Sequence, residues 1–316
     1  MAVWFALPHQ LKAKGVLGMN ERNARCISAQ NRRRFYPNAD NKIRTKILAA
    51  EAGLPVPELY FSIRSVGEIK SVYRRLNSYQ SFVIKPARGS GGEGVLVLTR
   101  TDDNQLANTH GEIIPEPIVR MHIANILHGL YSLGGKPDEA MVEYTINFDP
   151  CFADVTYKGV PDIRIIVFCG IPIMAMLRLP TSLSGGRANL HQGAIGVGID
   201  LRTGITRGGV QRSSRVSHHP DSNNPIEGIQ IPHWDEILNI SAKCFEVSSL
   251  GYLGVDIALD ADRGPLILEL NARPGLAVQI ANDIGLRNRV AIAEKYSKQK
   301  LPFDKRLEVI PLFFEE

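Results

Sequence analysis

The chain has 316 residues, 44% hydrophobic and 22% charged, with a formal net charge of +5. A chain of this length buries a large core and divides into two or more lobes, and its composition excludes a disordered or fibrous class. The small positive excess favours anionic ligands without singling out nucleic acid, which is not expected as a partner.

The longest apolar run, Ile165 to Leu177, is broken by Gly170 and Pro172. It is too short to span a bilayer and reads as two buried strands. Met1 to Leu7 has no basic stretch ahead of an apolar core, so no signal peptide is expected. The four cysteines (Cys26, Cys151, Cys169 and Cys244) show no paired spacing. A cytoplasmic setting is expected, and a disulfide framework or zinc site is not.

Met1 to Tyr36 is basic and reads as a solvated arm or first helix, with acidic-substrate binding as its functional alternative. Asp40 or Asn41 caps a helix with an apolar stripe of Ile43, Ile47, Leu48 and Ala50, stopped at Gly53. Val66 to Leu76 is a second amphipathic helix, with Ile69, Val72, Tyr73 and Leu76 inward.

Ser81 to Ala87 and Val95 to Thr99 read as strands joined by Gly89-Ser90-Gly91-Gly92-Glu93-Gly94. Such a loop lets backbone N–H groups approach phosphate oxygens. It joins strand to strand, so it is neither a P-loop nor a dinucleotide fingerprint, both of which lead into a helix. Lys85 stands at the end of the first strand, where its ammonium reaches the same phosphates or snorkels to solvent. Pro117 to Leu133 reads as a helix. Ala140 to Ile146 reads as a strand, with Glu143-Tyr144 where a hinge between lobes is expected. The stretch Asn147 to Val160 is irregular.

Asp162 to Phe168 and Ile171 to Leu179 form a hairpin carrying Arg164 and Arg178. Two arginines among apolar strand residues need partners: a carboxylate or phosphate ligand, or internal ion pairs. Ser182 to Gly198 is a glycine-rich loop with Arg187, Asn189 and His191, and His191 is read as structural. His218-His219 is expected to be solvated and is a poor metal pattern. Trp234 to Leu250 is a helix, with Ile237, Leu238, Phe245 and Leu250 inward and Gly251 as its stop.

Gly254 to Gly275 reads as a second hairpin. A loop of Asp262 and Arg263 brings Asp256 opposite Glu269, with Asn271 on the same face. Like charges directly opposite repel unless a cation lies between them. An all-oxygen set of this kind suits Mg²⁺, which keeps waters and takes substrate phosphates. The alternative is the solvated face of an edge hairpin. Gly285 to Gln299 is a last helix, and Leu301 to Glu316 is a tail.

The order Lys42, Lys85 with its glycine flap, Glu143-Tyr144, Asp162-x-Arg164, Arg178, R-x-N-L-H, G-V-D and E-L-N-A-R-P-G resembles the ATP-grasp superfamily, and within it the RimK-type alpha-L-glutamate ligases. The resemblance covers about Asn41 to Asn282. It implies an α+β fold of two lobes with antiparallel sheets enclosing the nucleotide. It also implies a division into a basic N-terminal segment (1–40), a lobe with the flap (41–140), a lobe with the Mg²⁺ and ATP site (141–300) and a tail (301–316). Only about forty residues precede Lys42, too few for the Rossmann-like domain that such proteins carry there.

By the same resemblance, Lys42, Lys85, Gly89, Ser90, Gly91, Gly92, Gly94 and the Glu143-Tyr144 backbone hold ATP. Asp256, Glu269 and Asn271 hold Mg²⁺, with Mn²⁺ as the alternative. Arg164, Arg178, Arg187, Asn189 and Arg273 contact phosphate or substrate, and Arg178, Asn189 and Arg273 are the catalytic candidates. The implied activity is a carboxylate–amine ligase acting through an acyl phosphate. Its partners are an amino acid such as glutamate, or another carboxylate, and an amine acceptor on a peptide, protein or small molecule. Gln192 and Ala194 depart from the RimK-type pattern, which has a basic residue and a second glycine there. A homo-oligomer is expected. The alternatives are a non-catalytic nucleotide-binding module and an ATP-grasp phosphotransferase.

Overall fold

The computed structural model describes residues 7–89 and 91–315. Met1 to Ala6 of the basic segment and Ser90 of the flap lie outside the described residues.

β1 (Leu59–Ile63), β2 (Ser81–Pro86), β3 (Leu96–Arg100), β4 (Leu106–Ala107) and β5 (Ala140–Glu143) form an antiparallel sheet in the order β1-β5-β2-β3-β4. Alternation gives this sheet two unlike faces. Phe82, Ile84, Leu98, Ala140 and Val142 turn toward the helices Ile69–Leu76 and Glu116–Leu127 and bury a core with them. The opposite face carries Lys85, Met141 and Glu143. The helix from Glu116 is shorter than its sequence pattern. It ends at Leu127, and Gly129 follows at φ 82° with Lys136 packed where a β-carbon would lie.

β6 (Asp162–Phe168), β7 (Ile171–Leu179), β8 (Ile195–Ile199), β9 (Thr206–Gln211), β10 (Ser214–Val216), β11 (Tyr252–Asp260) and β12 (Gly264–Asn271) form a second antiparallel sheet, in the order β10-β9-β8-β7-β6-β11-β12. The β6–β7 hairpin has the expected bounds, and its turn is Cys169-Gly170 with φ of 48° and 80°. Positive φ at both turn residues matches the right-handed twist of the strands.

Helices cover this sheet on both sides, which explains the near-continuous apolar sequence of β6 and β7. Ile163, Ile165 and Val167 meet the helix Trp234–Ser248, while Ile166 and Phe168 meet the helix Arg287–Ser297. The helix Trp234–Ser248 stops at Ser249 in a left-handed conformation (φ 57°), two residues before the glycine expected to end it.

The helix Lys42–Glu51 is capped by Asn41, whose side chain accepts from the Arg44 N–H. It lies between the two sheets. Ala49 enters the large sheet's core, and Ile43 packs with Ala87 and Met141 of the small sheet. Its buried face is therefore Ile43, Thr45, Lys46 and Ala49, while Ile47 is 49% exposed. The apolar stripe read from the sequence is rotated off this face.

Two terminal segments are packed rather than free. Leu17, Cys26 and Ile27 are buried in the large sheet's second core, so the segment from Leu17 onward is packed and not a solvated arm, whereas the helix Pro8–Ala13 buries none of its residues. At the other end Val309 and Ile310 are buried, so residues 301–315 dock on the protein. His219, expected to be solvated, is fully buried, with Nε2 2.9 Å from the Pro180 carbonyl. Among the described residues no helix is long and apolar enough to cross a membrane.

Candidate active site

The large sheet gathers charge at one end. Antiparallel pairing sets Asp256 opposite Arg164 on β6 and opposite Glu269 on β12, and sets Asp162 opposite Arg178. The Asp256–Glu269 pairing agrees with the sequence reading, but it arises differently. Asp260 faces Gly264, so Ala261, Asp262 and Arg263 all lie in the turn. A bulge after Asp256, which leaves Leu268 unpaired, restores the offset.

Asp256 is 1% exposed. Its carboxylate accepts from Arg164 Nε at 2.7 Å and Nη2 at 2.5 Å, from Arg178 Nη2 at 2.8 Å and from Asn271 Nδ2 at 3.2 Å. Burial alone would raise its pKa, but the charges of Arg164 and Arg178 outweigh burial and hold the carboxyl well below the usual range. Arg178 also grips Asp162 through Nε and Nη2. Burial pushes the Asp162 carboxyl up to about 6, with Arg178 opposing and the Asp256 charge reinforcing. Internal ion pairs, one of the two alternatives for these arginines, thus engage both of them.

Glu269 is linked to the helix Lys42–Glu51 and, through it, to the glycine flap. Its Oε2 lies 3.0 Å from Lys42 Nζ, which also donates to the Gly89 carbonyl at 2.6 Å. Asn271 Nδ2 lies 3.4 Å from Glu269 Oε1, so one amide touches both carboxylates. Repulsion between Asp256 and Glu269 is offset by the guanidinium groups, one ammonium and this amide.

Lys85 belongs to a second cluster. Val83 lies opposite Glu143 and Lys85 opposite Met141, so Lys85 and Glu143 are diagonal neighbours on one face. They form an ion pair, and Lys46 Nζ lies 2.9 Å from the other Glu143 oxygen. Lys46 also donates to the Pro57 carbonyl. Burial lowers the Lys46 pKa to about 8 against the opposing pull of Glu143. Burial raises the Glu143 carboxyl, but Lys85 and Lys46 outweigh it, and the net shift is downward.

The flap closes the geometry from above. Gly91, Gly92 and Gly94 have φ of 67°, 77° and 73°, a region that glycine enters without strain. Asn189 Nδ2 lies 3.4 Å from the Gly91 carbonyl, and Gly92 stands against Arg187. His122 Nε2 meets the Gly94 carbonyl at 3.0 Å. The flap of the small sheet therefore touches the glycine-rich loop of the large one.

Residues 21–295 match a family described as sugar-transfer associated ATP-grasp. The chain belongs to this ATP-grasp family. Its fold is accordingly the ATP-grasp fold, α+β with antiparallel sheets. Among solved structures, the ATP-grasp ligase PsnB complexed with minimal precursor is 16% identical, with 85% of this chain and 63% of that chain covered and a TM-score of 0.48. A D-alanine–D-alanine ligase from Bacillus anthracis is 14% identical, with 84% and 69% covered and a TM-score of 0.47. The D-cycloserine synthetase DcsG is 15% identical, with 83% and 71% covered and a TM-score of 0.45. The chain thus spans less than two thirds of the PsnB chain. No curated protein matches the sequence.

Within this ATP-grasp frame the expected residues divide. Lys42, Asp256, Glu269, Asn271, Arg164 and Arg178 form one connected polar group. Lys85 and Glu143 form the other, with Lys46. The Tyr144 N–H donates to the Glu58 carbonyl at 2.9 Å, and its ring lies under Arg263 at 3.9 Å. Arg187 is exposed, with Nη1 3.5 Å from Gln192 Oε1. Arg273 stands with Asp40 at 3.1 Å and with the Tyr36 ring at 5.1 Å.

Among the described residues no group of three or more His, Cys, Asp or Glu is placed to hold a metal ion. Two carboxylates with one amide oxygen are nevertheless a hard oxygen set that suits Mg²⁺ retaining water and phosphate ligands. Glu269 and Asn271 are both partly exposed and fit that use, whereas Asp256 is buried and accepts three bonds from guanidinium groups, with one contact on Oδ1. Sequence reasoning missed Lys46 and the carboxylate role of Asp162. Lys46 lies four positions from Lys42, the spacing of neighbours on one helix face, and that signal was available.

Proposed function

We propose that this ATP-grasp protein is an ATP- and Mg²⁺-dependent carboxylate–amine ligase of RimK-like type. The observation that carries the reading is the chain of contacts from the flap through Lys42 to Glu269, Asn271, Asp256 and the two arginines. One group of residues thereby offers cations for phosphates, oxygens for a metal and guanidinium groups for a carboxylate.

Lys42 and Lys85 bind the phosphates, with residues 41–140 as the flap-bearing lobe. Phosphate competes with Glu269 for Lys42 and releases Glu269 toward the cation. Glu269, Asn271 and Asp256, in the lobe of residues 141–300, hold Mg²⁺, or Mn²⁺ as the alternative. Mg²⁺ held by these oxygens would supply positive charge to the phosphates of ATP as charge moves to the departing ADP. The backbone at Glu143 and Tyr144 meets the adenine edge. Arg164, Arg178, Arg187, Asn189 and Arg273 orient the donor carboxylate and its acyl phosphate, with Arg178, Asn189 and Arg273 nearest the reaction.

A donor carboxylate oxygen takes the γ-phosphoryl group, and ADP leaves. An amine then attacks the acyl carbon, phosphate departs and an amide forms. The closed flap keeps water from the acyl phosphate. Glutamate is the leading donor, and the acceptor is an amine on a peptide, protein or small molecule. A cytoplasmic setting belongs to the same proposal. We carry a homo-oligomer as part of the same proposal.

The engagement of Asp256 by two guanidinium groups favours a second reading, a non-catalytic nucleotide-binding module. Incubation with Mg·ATP, glutamate and candidate amines, followed by mass spectrometry, separates them. A ligase releases ADP and yields a conjugate, and Glu269→Ala lowers the rate by about 100-fold or more. Nucleotide binding without product selects the module. A phosphate ester in place of an amide selects a phosphotransferase.

A further inference from the structure

The linker between the two sheets, residues 144–149, is tied down by the closed end of the β11–β12 hairpin. Asp260, 1% exposed, uses both carboxylate oxygens there. Oδ1 accepts from the N–H groups of Asp262 at 3.0 Å and Arg263 at 2.9 Å, which shapes the turn. Oδ2 accepts from the Asn147 N–H at 2.9 Å, a bond that joins residues 113 apart in sequence. The backbone reinforces the junction. The Ala261 N–H donates to the Asn147 carbonyl at 2.7 Å, and the Asp149 N–H donates to the Leu259 carbonyl at 2.9 Å. Nearer the surface, Arg263 lies 3.9 Å over the Tyr144 ring, with Nη1 3.4 Å from a Glu58 carboxylate oxygen.

An Asp that merely shapes its own turn uses one oxygen and local N–H groups. The second oxygen of Asp260 instead serves a distant segment, and a buried carboxylate is retained at a site that turn formation alone does not require. Asp260 and Asp256 share strand β11, about 13 Å apart at about 3.3 Å per residue. Asp260 is therefore too far from the acidic cluster to touch phosphate or metal. A single strand instead holds the linker at one end and the acidic cluster at the other.

We propose that Asp260 is a positioning residue for nucleotide binding, fixing the linker in register with the acidic cluster. The proposal rests on the reading that the linker backbone meets adenine. When the clamp is lost the linker samples other placements, and apparent affinity falls by the fraction that remains competent.

The test compares ATP with tripolyphosphate, which offers the phosphates but no adenine. Binding of each is measured by calorimetry in wild type, Asp260→Ala, Asp260→Asn and Arg263→Ala, with the thermal midpoint of each protein recorded. The expected result for Asp260→Ala is about tenfold weaker ATP binding with tripolyphosphate binding unchanged. Asp260→Asn, which keeps one acceptor oxygen, recovers part of the loss. Arg263→Ala leaves the buried bonds in place and weakens ATP about threefold. Equal ATP affinity in wild type and in Asp260→Ala overturns the proposal. So does parallel loss of both ligands, which marks a general structural role. Should Asp260→Ala not fold, an unchanged ATP affinity in Asp260→Asn overturns the proposal and a selective loss of ATP over tripolyphosphate supports it. Wild type that binds neither ligand instead removes the nucleotide-site reading itself.

Discussion

Lys46 is an ammonium on a helix that runs between two sheets, with Glu143 as its counter-charge. Burial depresses its pKa to about 8 from an ordinary value of 10.5. Between those values the unfolded chain holds this proton and the folded chain does not. Stability contributed by this group therefore rises as pH increases from about 8 to about 10.5. Denaturant unfolding across that range should show the rise, and Lys46→Met should flatten it. Glu143 acts in the opposite pH region. Its carboxyl is held below the usual range, so its contribution is present above that range and is lost as pH falls through the folded value. Of this group, Lys85 was legible in the sequence because it ends a strand beside a glycine loop. Lys46 was legible only through its spacing of four from Lys42, since an apolar stripe does not indicate which polar residue shares the buried face.

The flap depends on glycine at positions where the backbone leaves no alternative. Gly94 has φ 73°, and a β-carbon there would approach the Tyr131 ring to 2.6 Å. Gly94→Ala combines a left-handed penalty of about 1–2 kcal/mol with displacement of that ring. We expect ATP binding to weaken by about tenfold, read by calorimetry, while far-UV circular dichroism is unchanged. At the same scale the β11–β12 hairpin was largely legible. Alternation predicted both strands, and a two-residue turn of Asp262 and Arg263 led to the Asp256–Glu269 pair. The observed turn has three residues, because turn composition does not separate two residues from three. The Leu268 bulge then cancelled the error.

At the scale of the whole molecule, the N-terminal segment takes part in holding the large sheet. Asn31 is 4% exposed. Its Nδ2 donates to the carbonyls of Tyr252 at 2.7 Å and Ala272 at 2.9 Å, and its Oδ1 accepts from the Tyr252 N–H at 2.8 Å. Asn31 thus joins the start of β11 to the residue that follows β12. Asn31→Ala leaves three buried backbone groups without partners and should destabilise the protein by about 3 kcal/mol in urea unfolding. A solvated segment would give no measurable change. This packing was hidden in the sequence, where the density of Lys and Arg from Lys12 to Arg34 suggests exposure. The apolar anchors Leu17, Cys26 and Ile27 are too sparse there to form a periodic signal.

The sequence by itself did not show β1, β4 or β8 to β10, but it determined β2, β3, β5 and the hairpins β6–β7 and β11–β12, most helix starts, the flap and the set of residue types needed for phosphate, metal and carboxylate chemistry. These are written in local periodicity, in glycine and in caps, which act over a few residues. Only the tertiary structure decided which charge meets which. Arg164 finds Asp256 across 92 residues, and Lys42 finds Glu269 from the other end of the chain. The physical reason is that a buried charge takes whichever counter-charge the completed packing brings within reach, and no local pattern encodes that distance.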